Sequence, residues 1–62
     1  MGLKELRHRK GWTQRTLADK AKTLQVTISK YETGARDPAT MPLALACRLA
    51  DALDCQPSDL MK

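Results

Sequence analysis

Apolar residues along the chain fall three and four positions apart, the spacing of helices with one buried face. Leu3 and Leu6 begin the pattern in "MGLKELRHRKG", with the stem of Lys10 on the same side. Gly11 then supplies the positive-φ residue that closes a helix. In "WTQRTLADKA", Leu17, Ala18 and Ala21 share a side, and Thr13 stands where a hydroxyl can accept a free first-turn amide. Thr16 occupies the position that a capping box gives to Glu or Gln, so no box is expected. After a tight turn at "KT", residues 24–34, "LQVTISKYETG", read as a third helix closed by Gly34. "ARDPATM" is a loop, because Pro38 forbids helix continuation. Pro42 suits the first turn of a fourth helix, "PLALACRLADAL", with Leu43, Ala46, Leu49, Ala50 and Leu53 inward. "DCQ" is a turn, and "PSDLMK" is a last helical turn or two that folds Leu60 onto the core. The expectation is all-α, five helices in one domain spanning residues 1–62.

The third helix has two different faces. At about 100° per residue, Leu24, Ile28 and Tyr31 lie within an arc of roughly 60°. Gln25, Val26, Ser29, Lys30 and Thr33 spread over the opposite side. The first face is enough to attach the helix, so the second needs another explanation. Ala18 is small enough for this helix to cross close to the second one, and Leu17, Ala21, Ile28 and Tyr31 fill the angle between them. Residues from about 14 to 33 therefore form a helix-turn-helix, whose second helix presents its outer face to a DNA major groove.

Composition agrees with thin, closely packed helices. The chain of 62 residues has one Trp, one Tyr and no Phe. Val26 and Ile28 are its only β-branched aliphatic residues, too few for a sheet. Charge is uneven: residues 1–36 hold nine basic and three acidic side chains, net +6, while residues 37–62 hold two and four, net −2. A patterned basic half points to a polyanion partner; its plain alternative is a solvated face. Cys47 and Cys55, eight residues apart, match neither a redox pair nor a zinc spacing, and His8 alone cannot complete a four-ligand site. No cofactor or metal is expected. No apolar run approaches the ~18 residues of a membrane span and no signal-peptide pattern opens the chain, so a cytoplasmic protein is expected. Paired carboxylates, a Gly-rich phosphate loop and a His beside a nucleophile are all missing from the pattern, which argues against an enzyme.

The stretches "LKELRHRKGWTQRTLADKA", "TISKYETGARDP" and "LADALDCQPSDL", in this order and spacing, resemble the lambda repressor/Cro-like (XRE-type) helix-turn-helix family over residues 3 to about 60. The resemblance implies five helices and sequence-specific binding to duplex DNA, usually as a symmetric dimer. Three departures stand out. Lys22 replaces the Gly frequent in the turn, where positive φ is unfavourable for a side chain. Leu24 replaces a frequent Ser at the start of the third helix, leaving Thr23 as an alternative cap that would begin the helix one residue early. The loop after Gly34 is about three residues longer than the commonest pattern.

Roles follow from position and from the resemblance. Gln25 and Val26 sit at the groove-facing start of the third helix; Gln can bond adenine bidentately and Val can touch a thymine methyl. Ser29 and Lys30 lie one turn further on, and Lys30 can reach either a guanine edge or a phosphate. The resemblance gives Gln14 a phosphate contact and a bracing role toward the third helix, and gives Thr27 a phosphate contact. Arg36 follows the helix, where a phosphate grip and a loop charge are equally good readings. Plain surface exposure is the alternative for Gln14 and Gln25. Glu32 borders Ile28 on the wheel and needs a partner if buried; the resemblance pairs it with Arg7. Trp12 is expected to pack at the corner of the first two helices and His8 to be solvated.

The function expected is a small transcriptional regulator, a repressor, that reads double-stranded DNA in the major groove. The alternative is a protein-interaction module, or the antitoxin of a toxin–antitoxin pair, which would add a partner protein. A homodimer on a palindromic operator is expected. Its interface is placed at the end of the fourth helix and the C-terminal turn, where Leu53, Leu60 and Met61 stand among Asp54 and Asp59, with Leu60 the member best explained as core.

Overall fold

A computed structural model of the chain describes residues 2–60. It holds five α-helices and no strand among those residues: α1 Leu3–Arg9, α2 Gln14–Lys20, α3 Gln25–Thr33, α4 Leu43–Leu53 and α5 Pro57–Leu60. A single 3-10 turn at Pro38–Thr40 interrupts the long loop. The protein is all-α, as its periodicity implies.

One core draws on every helix. Leu3 and Leu6 of α1, Leu17 and Ala18 of α2, and Ile28 and Tyr31 of α3 are buried in it. Ala21, just past α2, is buried as well. From α4 come Leu45, Ala46, Leu49, Ala50 and Leu53, and Leu60 of α5 closes the far side with no exposed area. Two inward assignments do not hold. Leu24 is 68% exposed: it is the N-cap of α3, its backbone is extended, and the helical wheel does not apply to it. Leu43 is 70% exposed, whereas Leu45 is buried. Both flank the α4 stripe at about 80°, and Leu43, the first residue of the helix, lies beyond the edge of the core.

Met41, like Leu45, is a core member outside the expected inward set. Asp37 caps the 3-10 turn by accepting a hydrogen bond from the Ala39 amide at 3.0 Å, and the Thr40 hydroxyl donates to the Asp37 carbonyl at 2.7 Å. This folds the loop so that Met41 is buried. Pro42 lies one residue earlier than expected, at the N-cap of α4.

Three helices end alike. After α1, α2 and α4, one residue takes positive φ: Gly11 at +72°, Lys22 at +56° and Asp54 at +54°. In each case the next amide reaches back five residues, Trp12 to Arg7 at 3.3 Å, Thr23 to Ala18 at 2.9 Å and Cys55 to Ala50 at 3.0 Å. This double closure satisfies the carbonyls left open at a helix end. The Lys22 turn is braced from outside, where Arg48 Nε of α4 donates to the Ala21 carbonyl at 3.0 Å.

At the start of α2, Thr13 is the N-cap, accepting from the Thr16 amide at 3.1 Å. The start of α3 has no such side-chain bond: Leu24 is its cap and Thr23 does not replace it. Trp12 is half-buried at the α1–α2 corner, with Lys20 Nζ 4.9 Å and Lys10 Nζ 5.9 Å from its ring centroid.

Candidate nucleic-acid interface

Gln14 and Gln25 begin α2 and α3, the two helices on either side of the Lys22 turn. The α2–α3 contact is the most extensive between helices, because Ala18 and Ala21 allow close approach while Leu17, Ile28 and Tyr31 fill the angle. The inner face of α3 is thereby used up. Its outer face remains open: Gln25, Lys30 and Thr33 are exposed, Val26 is 54% exposed, and Thr27 and Ser29 are half-exposed.

A polar cluster fixes α3 against α1. Arg7 Nε donates to Glu32 Oε2 at 2.7 Å, and Arg7 Nη2 donates to Glu32 Oε1 at 3.0 Å, a bidentate pair. The side chains are only 10% and 2% exposed. Arg7 Nη1 also donates to the Trp12 carbonyl at 2.7 Å, so the same guanidinium holds the α1–α2 corner. Arg7 Nη2 lies 3.2 Å from Nε2 of His8, whose residue is exposed.

Gln14 completes the cluster, with its Nε2 donating to Glu32 Oε1 at 3.2 Å. Burial pushes the Glu32 carboxyl up, but the hydrogen bonds from Arg7 and Gln14 and the charge of Arg7 outweigh it and hold the group below its usual range. The hydrogen bonds that Arg7 donates to Glu32 in turn hold its guanidinium above its ordinary value. Among the described residues, no buried side-chain nitrogen or oxygen lacks a hydrogen-bond partner.

The family of helix-turn-helix domains has a model that matches residues 2–61 of the chain. The chain belongs to the helix-turn-helix domain family. No curated protein and no solved structure matches it. The helix-turn-helix itself is α2, the turn through Lys22 and α3, with α3 in the second-helix position. The family match agrees with the lambda repressor/Cro-like resemblance carried by the sequence.

Within this helix-turn-helix, the structure unites some of the expected residues and separates others. Arg7, Gln14 and Glu32 form one hydrogen-bonded group across three helices. Gln25, Val26, Thr27, Ser29 and Lys30 share α3. Arg36 lies beyond Gly34, exposed, and its amide donates to the Lys30 carbonyl at 3.0 Å, which folds the loop back onto the end of α3.

Sequence reasoning missed the exposure of Leu24, the Trp12 carbonyl as a partner of Arg7, and the Arg48 brace. The first had a signal in the extended backbone that a cap position adopts; the other two depend on tertiary placement alone. The expected dimer surface changes most. Leu53 and Leu60 are 4% and 0% exposed and belong to the core, so they cannot also cover a partner. Met61 lies outside the described residues. Among those residues, no helix is long and apolar enough to cross a membrane.

Proposed function

We propose that this protein is a sequence-specific binder of double-stranded DNA, acting as a small transcriptional repressor. The observation that carries the reading is the unspent outer face of α3, which offers Gln25, Ser29 and Lys30, while Gln14 at the start of α2 is bonded to Glu32 in the last turn of the same helix. The inner face is fixed by Ile28, Tyr31 and the buried Arg7–Glu32 pair. A rigid helix with one face unused by the core suits insertion into a major groove. The net charge of +6 over residues 1–36 favours a polyanion on that side.

In this reading, Gln25 contacts a base edge, with Ser29 and Lys30 one turn along. Gln14, Thr27 and Arg36 contact backbone phosphates, which give affinity and register without sequence information. Two copies on a palindrome would place their α3 helices about 34 Å apart, one turn of the duplex. Occupying the operator would exclude other proteins from it, which is a simple mode of repression.

Selection of bound duplexes from a random pool tests the reading. A recurring motif with two-fold symmetry is the expected result; a pool that stays unenriched would reject sequence-specific binding. On the selected duplex, Gln25→Ala should cost ~1–3 kcal/mol and flatten preference at one base position. Equal losses on selected and random DNA would remove Gln25 from the base-reading set.

A further inference from the structure

We propose that a hollow between the end of α2 and the middle of α4 is a binding site for a small phosphorylated anion. It has a volume of about 360 Å³ and is lined by Lys20, Lys22, Arg48, Asp51 and Ala52. None of these residues belongs to α3, so the site goes beyond the DNA-binding reading and does not depend on it.

Three cations meet in the hollow, and none is paired. Among the described residues, Lys20, Lys22 and Arg48 take part in no ion pair, although Asp51 shares the space with them. One carboxylate against three cations leaves the hollow at +2. Arg48 is fixed by its Nε bond to the Ala21 carbonyl at 3.0 Å, which leaves its Nη edge without a protein partner. Lys20 is steadied by the Trp12 ring, its Nζ 4.9 Å from the centroid.

Lys22 is the most telling of the three. It stands at φ +56°, where a lysine is strained and a glycine is not. Positive charge at a helix end ordinarily serves the open carbonyls and the dipole. Here the Lys22 and Thr23 amides already reach the Asp19 and Ala18 carbonyls, and Arg48 takes that of Ala21. The Lys22 ammonium is exposed and holds no hydrogen bond, ion pair or ring contact among the described residues. A backbone outlier kept without a structural return points to function.

The donors select the ligand. Arg48 offers the paired N–H groups of its Nη edge, and the two lysines act as point charges. A terminal phosphate has three strong acceptor oxygens, one for each cation, and close to two negative charges against the +2 of the hollow. A carboxylate has two oxygens and one charge. The volume is near the lower limit of small-molecule sites, which suits a diphosphate better than a large cofactor.

Pyrophosphate is the probe. Calorimetry at about 0.15 M salt measures its affinity. Emission from Trp12, the single tryptophan, reports on the site because Lys20 lies over its ring. Wild type should bind one pyrophosphate, with a saturable change in emission and a rise in melting temperature. Lys20→Gln and Lys22→Gly should each weaken binding about two- to fivefold, the effect of losing one exposed charge contact. Lys4→Gln, which removes an equal charge from α1, should leave affinity unchanged. Lys22→Gly should melt above wild type without the anion and gain less from it.

A loss as large in Lys4→Gln would mean a diffuse attraction to the basic half and would overturn the site. Equal affinity for malonate, a dicarboxylate dianion, would overturn the preference for phosphate. If wild type does not bind pyrophosphate, the site is overturned; if Lys20→Gln and Lys22→Gly then weaken binding to a random-sequence duplex, these cations belong to the DNA interface instead. None of these results bears on whether a duplex pool becomes enriched, so the DNA-binding reading stands or falls separately.

Discussion

Two ion pairs tie α1 and its C-terminal cap to distant parts of the chain, and their lengths are almost the same. Arg7 Nε to Glu32 Oε2 is 2.7 Å, and Lys10 Nζ to Asp54 Oδ2 is 2.8 Å. Their settings differ. The first pair is 10% and 2% exposed; the second is 34% and 79% exposed. Arg7 and Glu32 add hydrogen bonds to the Trp12 carbonyl and from Gln14, so three helices meet at one cluster. Lys10 and Asp54 stand in water, where side-chain entropy and salt screening take back most of the attraction. Burial and secondary partners, not contact distance, decide which pair organises the fold.

The largest expected effect comes from cutting the buried pair. Arg7→Ala and Glu32→Ala should each cost about 3–5 kcal/mol, because the surviving charge is left near the core without its partner. A domain of this size has total stability of the same order, so either variant should be largely unfolded at 37 °C. The double variant should cost clearly less than the sum of the two, since it leaves no stranded charge. Urea unfolding of the four proteins, followed by circular dichroism, measures the coupling. Additive losses would mean that Arg7 and Glu32 do not stabilise each other and would remove the contrast with the surface pair.

Acid should expose the same contrast. The Glu32 carboxyl is held below its ordinary value in the folded protein, so the unfolded chain takes up the proton first as pH falls. The stability that Glu32 contributes is therefore complete above the usual carboxylate range and is lost as pH falls through its folded value. Asp54 shifts in the same direction, through its hydrogen bond from Lys10, but its exposure leaves it little to lose. Melting temperatures from pH 7 down to pH 2.5 should fall less steeply in Glu32→Gln than in wild type, while Asp54→Asn should follow wild type. A Glu32→Gln curve parallel to wild type would mean that the buried pair does not link folding to pH.

Next in size is the Lys22 turn. Lys22 and Asp54 hold the same positive-φ position in two equivalent helix closures. Asp tolerates that conformation through its short polar side chain, whereas Lys has no such compensation. Lys22→Gly should therefore raise stability by about 1 kcal/mol. An unchanged or lower midpoint in urea would show that contacts of the Lys22 side chain offset the backbone strain.

The contrast between the pairs was only half legible in the sequence. Glu32 could be placed beside Ile28 by its position on the wheel, so its need for a partner was visible. That the partner is Arg7 came from family resemblance, because nothing local brings two residues 25 positions apart into register. Lys10–Asp54 spans 44 positions and had no signal at all. The helices themselves were readable from periodicity and from Thr13, Gly11 and Gly34, since caps and repeats are local. Leu24 and Leu43 were misplaced because wheel geometry fails at a helix's first residues, where the core has already ended. Met41 was hidden in a loop whose path depends on the Asp37 cap.

At the surface pair, where the effect is least, charge and backbone can be separated. Asp54 does two things: it accepts from Lys10, and it holds the positive φ that closes α4. Lys10→Ala leaves the turn intact, removing the ion pair and the more distant of the two ammonium groups over the Trp12 ring, and should change the melting temperature little at about 0.15 M salt. Asp54→Gly also deletes the ion pair but suits the turn better, so it should be no less stable than wild type. Asp54→Ala deletes the pair and puts a methyl group on a left-handed backbone, so it should melt below both. If the ion pair mattered as the buried one does, Lys10→Ala and Asp54→Gly would instead fall together with Asp54→Ala, and the loss would shrink as salt is added.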